Sequence, residues 1–266
     1  MTQIEELSDK EFELFQKLIF KEIGISLSNS KKFLVKNRLF KRLLDYKLNS
    51  YSDYYRLIQI NKKEKTEMLN LITTNETYFF RELGHFDFFQ NDIIPQFKTK
   101  KLRVWSAASS VGAEAYTIAM LLKESISSFE ILGSDVNSEV IKKANMGLYP
   151  IKWMDKIPLN LRQKYCLKGK GKHEGWFLID RVLIKNMIFD VRNLMNPQND
   201  LRQFDVIFLR NVLIYFDKET KIKIINNILK NLKIGGYFFI SFTEHIHDLN
   251  INNLEQVQSS IFKKVK

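Results

Sequence analysis

Apolar residues in the first ninety positions recur with helical spacing, and no strand pattern interrupts them. Ser8 and Glu11 have the spacing of a capping box, which marks the start of a helix. Helical spacing follows at Phe12, Phe15, Leu18 and Ile19. Gly24 ends the run. We therefore predict an all-helical domain and linker over residues 1–90.

A second predicted helix follows the Ser28–Ser30 turn and has two chemically different sides. At 100° per residue, one side carries Phe33, Phe40 and Leu44, which we expect to pack against the rest of the domain. The other side is a basic stripe formed by Lys31, Arg38, Lys41 and Arg42. The stripe is either an ordinary solvated surface or a binding surface for a polyanionic partner.

After Pro95 the pattern changes to short apolar runs that alternate with helical segments. The predicted strands are Leu102–Ala107, Phe129–Ser134, Phe204–Leu209 and Tyr237–Phe242. The predicted helices are Ala113–Glu124, Ser138–Ala144 and one that Asp217 caps and that runs through Leu232. This alternation is typical of βαβ units, so residues 91–266 are predicted to form a Rossmann-like, doubly wound α/β domain with a mostly parallel sheet.

Residues 166–192 break this rhythm. Three glycines precede two strand-like runs, W-F-L-I (176–179) and V-L-I-K-N-M-I-F (182–189). We interpret this segment as a small antiparallel β insertion in the α/β domain.

Composition narrows the class of protein. In 266 residues, 42 Lys and Arg against 30 Asp and Glu give a net charge of +12, which favours nucleic acid, an anionic membrane surface or an acidic protein as partner. The single cysteine, Cys166, excludes an internal disulfide, and no apolar stretch is long enough to span a membrane. The sequence thus predicts a cytoplasmic protein, and it offers no cluster of metal ligands.

The ends of the predicted strands carry the candidate chemistry, because ligands of open α/β sheets bind there. The first strand leads into small residues, Ala107–Gly112, that match neither the three-glycine dinucleotide fingerprint nor the phosphate-binding loop. The second strand ends at Asp135, where a carboxylate can accept hydrogen bonds from ribose hydroxyls. A nucleoside without phosphates fits both features, and S-adenosylmethionine is such a ligand.

Five segments, in order along most of the chain, carry a family resemblance. They are T-N-E-T-Y-F-F-R-E (74–82), W-S-A-A-S-S-V-G-A-E-A-Y-T-I-A (105–119), G-S-D-V-N (133–137), F-D-V-I-F-L-R-N-V-L-I-Y-F (204–216) and L-K-I-G-G (232–236). With these segments the sequence resembles the chemotaxis receptor methyltransferases (CheR). The resemblance implies an S-adenosylmethionine-dependent methyltransferase domain that esterifies glutamate side chains of chemoreceptors and releases S-adenosylhomocysteine.

The resemblance also implies site residues. The implied cofactor contacts are Asn75, Thr77, Arg81, Glu114, Asp135, Asn193, Leu194, Arg210 and Asn211. Arg81 and Tyr215 match positions that the family places beside the transferred methyl group. The chain departs from the family pattern at residues 113–115, where it has Ala-Glu-Ala, and at residues 241–244, where it has Ser-Phe-Thr-Glu.

Two features suggest how a receptor would be bound. The basic stripe of the second helix suits the acidic helical bundle of a chemoreceptor. The glycine-spaced loop with Gly169, Gly171 and Gly175 resembles the form in family members that tether themselves to a peptide at the receptor C-terminus. Such docking would be β-augmentation, and an ordinary surface hairpin is the alternative.

Two other functions are compatible with parts of the sequence. An RNA or DNA methyltransferase would explain the basic charge, but the strand end after Phe208 lacks the Asn/Asp-Pro-Pro-aromatic run that engages an exocyclic amine. A non-catalytic adaptor is disfavoured because the site residues implied by the family are present.

Overall fold

The computed structural model of the chain describes residues 4–126 and 128–266, so the first three residues of the predicted helical domain lie outside it. The chain forms two compact units. The helical unit contains the residues up to Thr74 together with Tyr215–Thr220, and the sheet unit contains Asn75–Ile214 and Lys221–Lys266. The boundary between residues 90 and 91 and the limits of 166–192 for the β subdomain stay predictions about separable domains.

The helical unit contains helices α1 (Asp9–Ile23), α2 (Lys32–Asp45), α3 (Tyr51–Ile60) and α4 (Lys62–Ile72). The predicted capping box starts α1: Ser8 Oγ accepts a hydrogen bond from Glu11 N at 3.3 Å, and Glu11 Oε2 accepts one from Ser8 N at 2.9 Å. The helix ends at Gly24, whose φ of 76° is a conformation that favours glycine. Phe12, Phe15, Leu18 and Ile19, whose spacing predicted the helix, are buried.

The predicted packing face of α2 is wrong. Phe33, Phe40 and Leu44 are 68%, 42% and 50% exposed. The core face is instead Val35, Leu39 and Leu43, all buried. Both sets have helical spacing, so periodicity by itself could not choose between the two apolar stripes.

The sheet unit is built on a seven-stranded sheet in the order β6-β2-β1-β7-β8-β10-β9. Its strands are β1 (Leu102–Ala107), β2 (Phe129–Asp135), β6 (Met187–Val191), β7 (Phe204–Leu209), β8 (Leu232–Phe239), β9 (Leu254–Gln258) and β10 (Ile261–Lys264). The first five strands in this order, β6, β2, β1, β7 and β8, run parallel to one another. The β9–β10 hairpin adds two antiparallel strands at the β8 edge. The predicted mostly parallel α/β fold is confirmed.

Helices connect and flank these strands. They are α5 (Leu83–Phe88), α6 (Ala113–Ser125), α7 (Ser138–Met146), α8 (Leu159–Tyr165), α9 (Arg181–Ile184) and α10 (Lys218–Leu229). The last predicted parallel strand, Tyr237–Phe242, is displaced: β8 begins at Leu232, and a register shift opposite β7 accommodates the residues before Tyr237. Gly235 permits this bulge with a φ of 78°.

The small antiparallel sheet exists, but its composition differs from the prediction. It consists of β3 (Leu148–Pro150), β4 (Cys166–Lys168) and β5 (Trp176–Ile179) in the order β3-β5-β4. The run 182–189, predicted as its second strand, instead forms part of α9 and the start of β6, which pairs with β2 in the large sheet. A parallel neighbour of β2 needs a long crossover, and the intervening segment supplies it.

Among the described residues, no helix is long and apolar enough to cross a membrane.

Candidate active site at the strand ends

The carboxyl ends of β2, β1 and β7 are adjacent, because these strands are parallel neighbours in the sheet. The loop that follows β1 is tight: Ala108 and Ser110 have φ values of 61° and 50°, a region that L side chains rarely adopt. Gly112, with a φ of 88°, leads into α6. Strained non-glycine residues of this kind cluster at functional sites.

The end of β2 is organised around the Asp135 carboxylate. It accepts hydrogen bonds from Ser110 N at 2.9 Å and Asn137 N at 3.0 Å. Burial raises the pKa of Asp135, and the backbone N–H donors partly oppose that shift. Ser110 Oγ in turn donates to Asn75 O at 3.1 Å, so Asn75, the β1 loop and Asp135 form one cluster.

The end of β7 carries a second cluster around the buried guanidinium of Arg210. Arg210 Nη1 donates to Glu114 Oε2 at 2.8 Å, and Nη2 donates to Glu82 Oε2 at 3.1 Å and to the Arg81 carbonyl oxygen. Ser106 Oγ donates to the other Glu114 oxygen at 2.7 Å. Arg210 therefore joins three of the predicted site segments as a buried bridge.

Glu82 accepts four hydrogen bonds in this second cluster. Oε1 accepts from Asn211 Nδ2 at 3.0 Å and Ser241 Oγ at 2.7 Å, and Oε2 accepts from Phe242 N at 3.2 Å as well as from Arg210. Burial acts to raise the pKa of Glu82, but the Arg210 charge and these hydrogen bonds outweigh it and lower the pKa to about 2. The carboxylate is ionised at any working pH.

The Arg81 side chain points away from these carboxylates. Its Nη1 donates to Glu76 O at 2.8 Å, and its guanidinium lies 5.7 Å from the Tyr78 ring centroid. No carboxylate among the described residues pairs with it, and the side chain is half-buried. Arg81 thus retains free donors for an acidic ligand.

Two of the remaining predicted cofactor residues, Asn193 and Leu194, follow a segment that contacts the end of β2. Arg192 N donates to Asp135 O at 2.9 Å, which brings the segment after β6 to the end of β2. Asn193 and the buried Leu194 follow directly, and Asn193 Oδ1 accepts from Met195 N at 3.0 Å. Thr77 is half-buried in the irregular segment before Arg81.

Tyr215 belongs to the helical unit, where its carbonyl oxygen accepts a hydrogen bond from Ser26 N at 2.9 Å. Its assignment beside the methyl group stays a prediction.

Half of the predicted basic stripe is used inside the helical unit. Arg42 donates to both carboxylate oxygens of the buried Glu64, at 2.8 and 2.6 Å. Arg38 donates to the carbonyl oxygens of Ile72 and Thr73 at 2.5 and 3.1 Å. Lys31 and Lys41 remain exposed. The role of the stripe in receptor binding stays a prediction, with these two lysines as its accessible charges.

The three predicted loop glycines lie in the hairpin between β4 and β5. Gly171 and Gly175 have positive φ values of 57° and 85° with open space at the Cβ position. A Cβ on Gly169 would lie 2.1 Å from His173 O, so that position has no room for a side chain. The glycines are needed to form the loop, and their role in binding stays a prediction.

Sequence reasoning missed three residues that organise the site: Glu82, Ser110 and Glu244. Glu244 is buried and accepts from Asn211 N, Leu213 N and Ser241 N at 3.1, 2.7 and 2.9 Å. Glu82 directly follows Arg81 in the first quoted segment, so its position was a signal that could have been used. Ser110 acts largely through its backbone, which no residue pattern reveals.

The donor set at these strand ends fits S-adenosylmethionine. Asp135 offers acceptors for ribose hydroxyls, Leu194 offers an apolar surface, and no phosphate-binding loop is present. Ser109 Oγ, in the β1 loop, is buried without a hydrogen-bond partner among the described residues, as expected of a group that awaits a ligand. A doubly wound sheet with this site defines the class of S-adenosylmethionine-dependent methyltransferases.

The chain belongs to the CheR methyltransferase family. Residues 75–262 match the family's SAM binding domain, and residues 10–73 match its all-alpha domain. A chemotaxis protein methyltransferase from Borreliella burgdorferi is 33% identical over 93% of this chain and 92% of the relative. The chemotaxis protein methyltransferase of Escherichia coli is 34% identical over 94% of this chain and 89% of the relative. A solved magnesium protoporphyrin IX methyltransferase from Synechocystis, with bound SAM, has a TM-score of 0.43 at 13% identity over 81% of this chain and 90% of that one.

Proposed function

We propose that this protein transfers a methyl group from S-adenosylmethionine to glutamate side chains of chemoreceptors in the cytoplasm, giving glutamate methyl esters and S-adenosylhomocysteine. The observation that carries the proposal is the successive match to both family domains, residues 10–73 and 75–262. The relatives are chemotaxis protein methyltransferases, which supports the choice of substrate. Neither the matched domains nor these relatives point to RNA.

When bound, S-adenosylmethionine supplies a methyl group on a positively charged sulfur. In this proposal Asp135 accepts hydrogen bonds from the ribose, and Asn193 and Leu194 lie beside the base. The other cofactor contacts are Asn75, Thr77, Arg81, Glu114, Arg210 and Asn211. Since the carboxylate of Glu114 already pairs with Arg210, it offers its remaining lone pairs.

The acceptor needs orientation more than activation. A glutamate carboxylate has an ordinary pKa of about 4.3, so it is ionised at neutral pH and needs no general base. The chain must align the attacking oxygen and exclude water from the reacting charges. Arg81 is suited to hold the carboxylate through charge-assisted hydrogen bonds, because its free donors meet no acidic partner among the described residues. Tyr215 is the second candidate beside the methyl group.

The same proposal gives the helical unit the task of binding the receptor's helical bundle. An acidic bundle and the exposed Lys31 and Lys41 have complementary charge. Arg38 and Arg42 support the shape of this surface through their contacts within the unit.

A second receptor contact is proposed at the edge strand β4. Leu167 on β4 and Trp176 on β5 are 52% and 44% exposed, which is unusual for residues of their size in a sheet. Lys168 is the last residue of β4, and the glycine loop follows it directly. We propose that a peptide from the receptor C-terminus pairs with this edge by β-augmentation and packs an aromatic side chain on the exposed apolar surface. Such a tether would raise the local enzyme concentration without using the active site.

The test of the function is methylation with radiolabelled S-adenosylmethionine. Membranes that contain the organism's chemoreceptors should acquire label that mild base releases as volatile methanol, because methyl esters are base-labile. Bulk RNA is the parallel acceptor. Stable label in RNA and none in the receptors would overturn the proposal.

A further inference from the structure

Two neighbouring acidic side chains hold the loop that follows β7, and they hold it differently. Among the described residues, Glu244 accepts hydrogen bonds from backbone N–H groups only, those of Asn211 and Leu213 in the loop and that of Ser241. Glu82 binds the side chains of Asn211 and Arg210. The direction of the Asn211 side chain is therefore set by Glu82 and by Ser241, whose Oγ accepts from Asn211 Nδ2 at 2.6 Å.

The backbone at both ends of the Glu82–Asn211 hydrogen bond is strained. Glu82 has a φ of 60° and Asn211 a φ of 58°, in the left-handed region that costs free energy for residues with a Cβ. Such conformations persist only when surrounding contacts determine them. Glu82 supplies those contacts, since both of its oxygens accept two hydrogen bonds each.

The only imidazole in contact with Glu82 among the described residues forms no ion pair with it at neutral pH. His85 Nδ1 lies 3.3 Å from Glu82 Oε2, and the ring packs 4.1 Å from the Phe242 ring. Desolvation of the buried ring, together with the Arg210 charge, lowers the pKa of His85 to about 4 against the opposing charge of Glu82. At neutral pH His85 is uncharged, and the carboxylate stays available to Arg210 and Asn211.

We propose that Glu82 is a positioning residue for methyl transfer: it fixes the Asn211 side chain and the backbone at Arg81 in one arrangement before ligands bind. Arg81 is its chain neighbour, and the Arg81 carbonyl oxygen accepts from the same Arg210 that pairs with Glu82. The inference rests on the proposed function and adds to it a residue that touches neither substrate nor cofactor.

The test compares Glu82→Gln with a matched control. The amide keeps the shape but points an NH₂ group at existing donors, so it should disorder Asn211 without removing volume. Because misplacement of a reacting group by about 1 Å can cost 10²-fold, we expect kcat to fall roughly ten- to a hundredfold. S-adenosylhomocysteine affinity, measured by calorimetry, should fall by a smaller factor than kcat, because Asn211 is only one of several proposed cofactor contacts.

The control is Asp205→Asn, at the amino end of β7, the strand that Arg210 and Asn211 follow. Asp205 is also a buried carboxylate, paired with Lys233 Nζ at 2.6 Å and Arg103 N at 2.9 Å. The Asp205→Asn substitution should lower the melting temperature, while kcat stays near the wild-type value. Equal losses of kcat in both variants would reduce Glu82 to a structural residue.

Two further measurements keep the test decisive. In an Asn211→Ala background, Glu82→Gln should lower kcat by a smaller factor than in the wild type, because one of the two groups through which it acts is gone; fully additive losses would overturn the proposal. Amide hydrogen exchange at residues 211–213 should accelerate in Glu82→Gln and not in Asp205→Asn. If wild-type protein failed to methylate receptors, the proposed substrate would be contradicted, while unchanged exchange would separately overturn the role of Glu82.

Discussion

At the scale of single residues, the site depends on carboxylates that the chain already surrounds with donors. Asp135 is held by backbone N–H groups of the β1 loop and of the start of α7, so its oxygens are oriented before a ligand arrives. The Arg81 side chain, in contrast, has only a main-chain carbonyl and a ring as partners among the described residues. The first residue suits a fixed cofactor contact and the second an incoming acidic side chain.

Asp135→Ala should weaken S-adenosylmethionine binding without unfolding the chain. Loss of hydrogen bonds to a charged acceptor costs roughly 1.5–3 kcal/mol, which is about a ten- to hundredfold loss of affinity. Titration calorimetry measures it, and Glu114→Ala should behave similarly. Unchanged affinity in both variants would remove the cofactor assignment.

Arg81→Ala should depress turnover far more than it lowers the melting temperature, since its few contacts within the chain are replaceable. Arg81→Lys is the matched variant: it keeps the positive charge but loses the forked donor geometry, so we expect intermediate turnover. Tyr215→Phe keeps the ring and reports the hydroxyl alone. Near-normal kcat in Arg81→Ala would be incompatible with a role in holding the acceptor carboxylate.

At the scale of elements, the open edge of the small sheet bears on peptide binding, and the core of the helical unit bears on stability. On β4, the hydrogen bonds Gly169 N to Trp176 O and Asp180 N to Tyr165 O, both 2.9 Å, set the alternation of the ladder. By that alternation, the backbone of Leu167 is hydrogen-bonded to Leu178 of β5. The backbone N–H of Lys168 therefore points away from β5, to the open edge of the sheet.

Lys168→Pro should therefore block peptide docking and leave the sheet intact, because proline is tolerated where a strand N–H faces outward. Lys168→Ala removes the charge but keeps the N–H, and it should still bind. C-terminal peptides of the organism's receptors, titrated by fluorescence anisotropy, provide the measurement. Equal affinity of both variants for such a peptide would argue against β-augmentation at β4.

Glu64→Gln should destabilise the helical unit. Glu64 is buried and accepts from Arg42, Tyr46 and Tyr54, so the change leaves a half-buried guanidinium poorly compensated, at a cost of roughly 1.5–3 kcal/mol for the lost charge-assisted hydrogen bonds. Burial tends to raise the pKa of Glu64, but these hydrogen bonds lower it overall. Because the pKa of Glu64 is lower in the folded chain than in the unfolded chain, its stabilisation is complete at a pH above the unfolded-state pKa. The stabilisation is lost as the pH falls through the folded-state pKa.

Hydrogen exchange within α2 and α4 between about pH 3 and 6 should thus show acid sensitivity in the wild type and less in Glu64→Gln. Tyr54→Phe removes one donor and should give a smaller loss of protection. A pH dependence identical in wild type and Glu64→Gln would show that another group controls acid stability.

At the scale of the whole molecule, the net charge of +12 favours an acidic partner, and the described contacts indicate which charges are free to serve it. Lys31→Glu with Lys41→Glu should slow receptor methylation and flatten its salt dependence, because exposed charges act through an electrostatic field screened beyond about 8 Å at physiological ionic strength. Lys62→Glu with Lys63→Glu makes the same change of net charge at the start of α4. If both pairs lowered the rate equally, net charge and not the basic stripe would be responsible.

The sequence by itself determined the features that depend on near neighbours. The capping box of α1, the bounds of β1 and β7, the alternation of helices and strands after Pro95, and the family segments all follow from residues a few positions apart. Tertiary structure decided what depends on distant partners. The predicted face of α2 failed because two stripes had equal periodicity, and the run 182–189 left the small sheet because β2 offered a parallel edge. Glu82 escaped notice because its partners Asn211 and Ser241 are 129 and 159 positions away, and only folding brings such donors to one carboxylate.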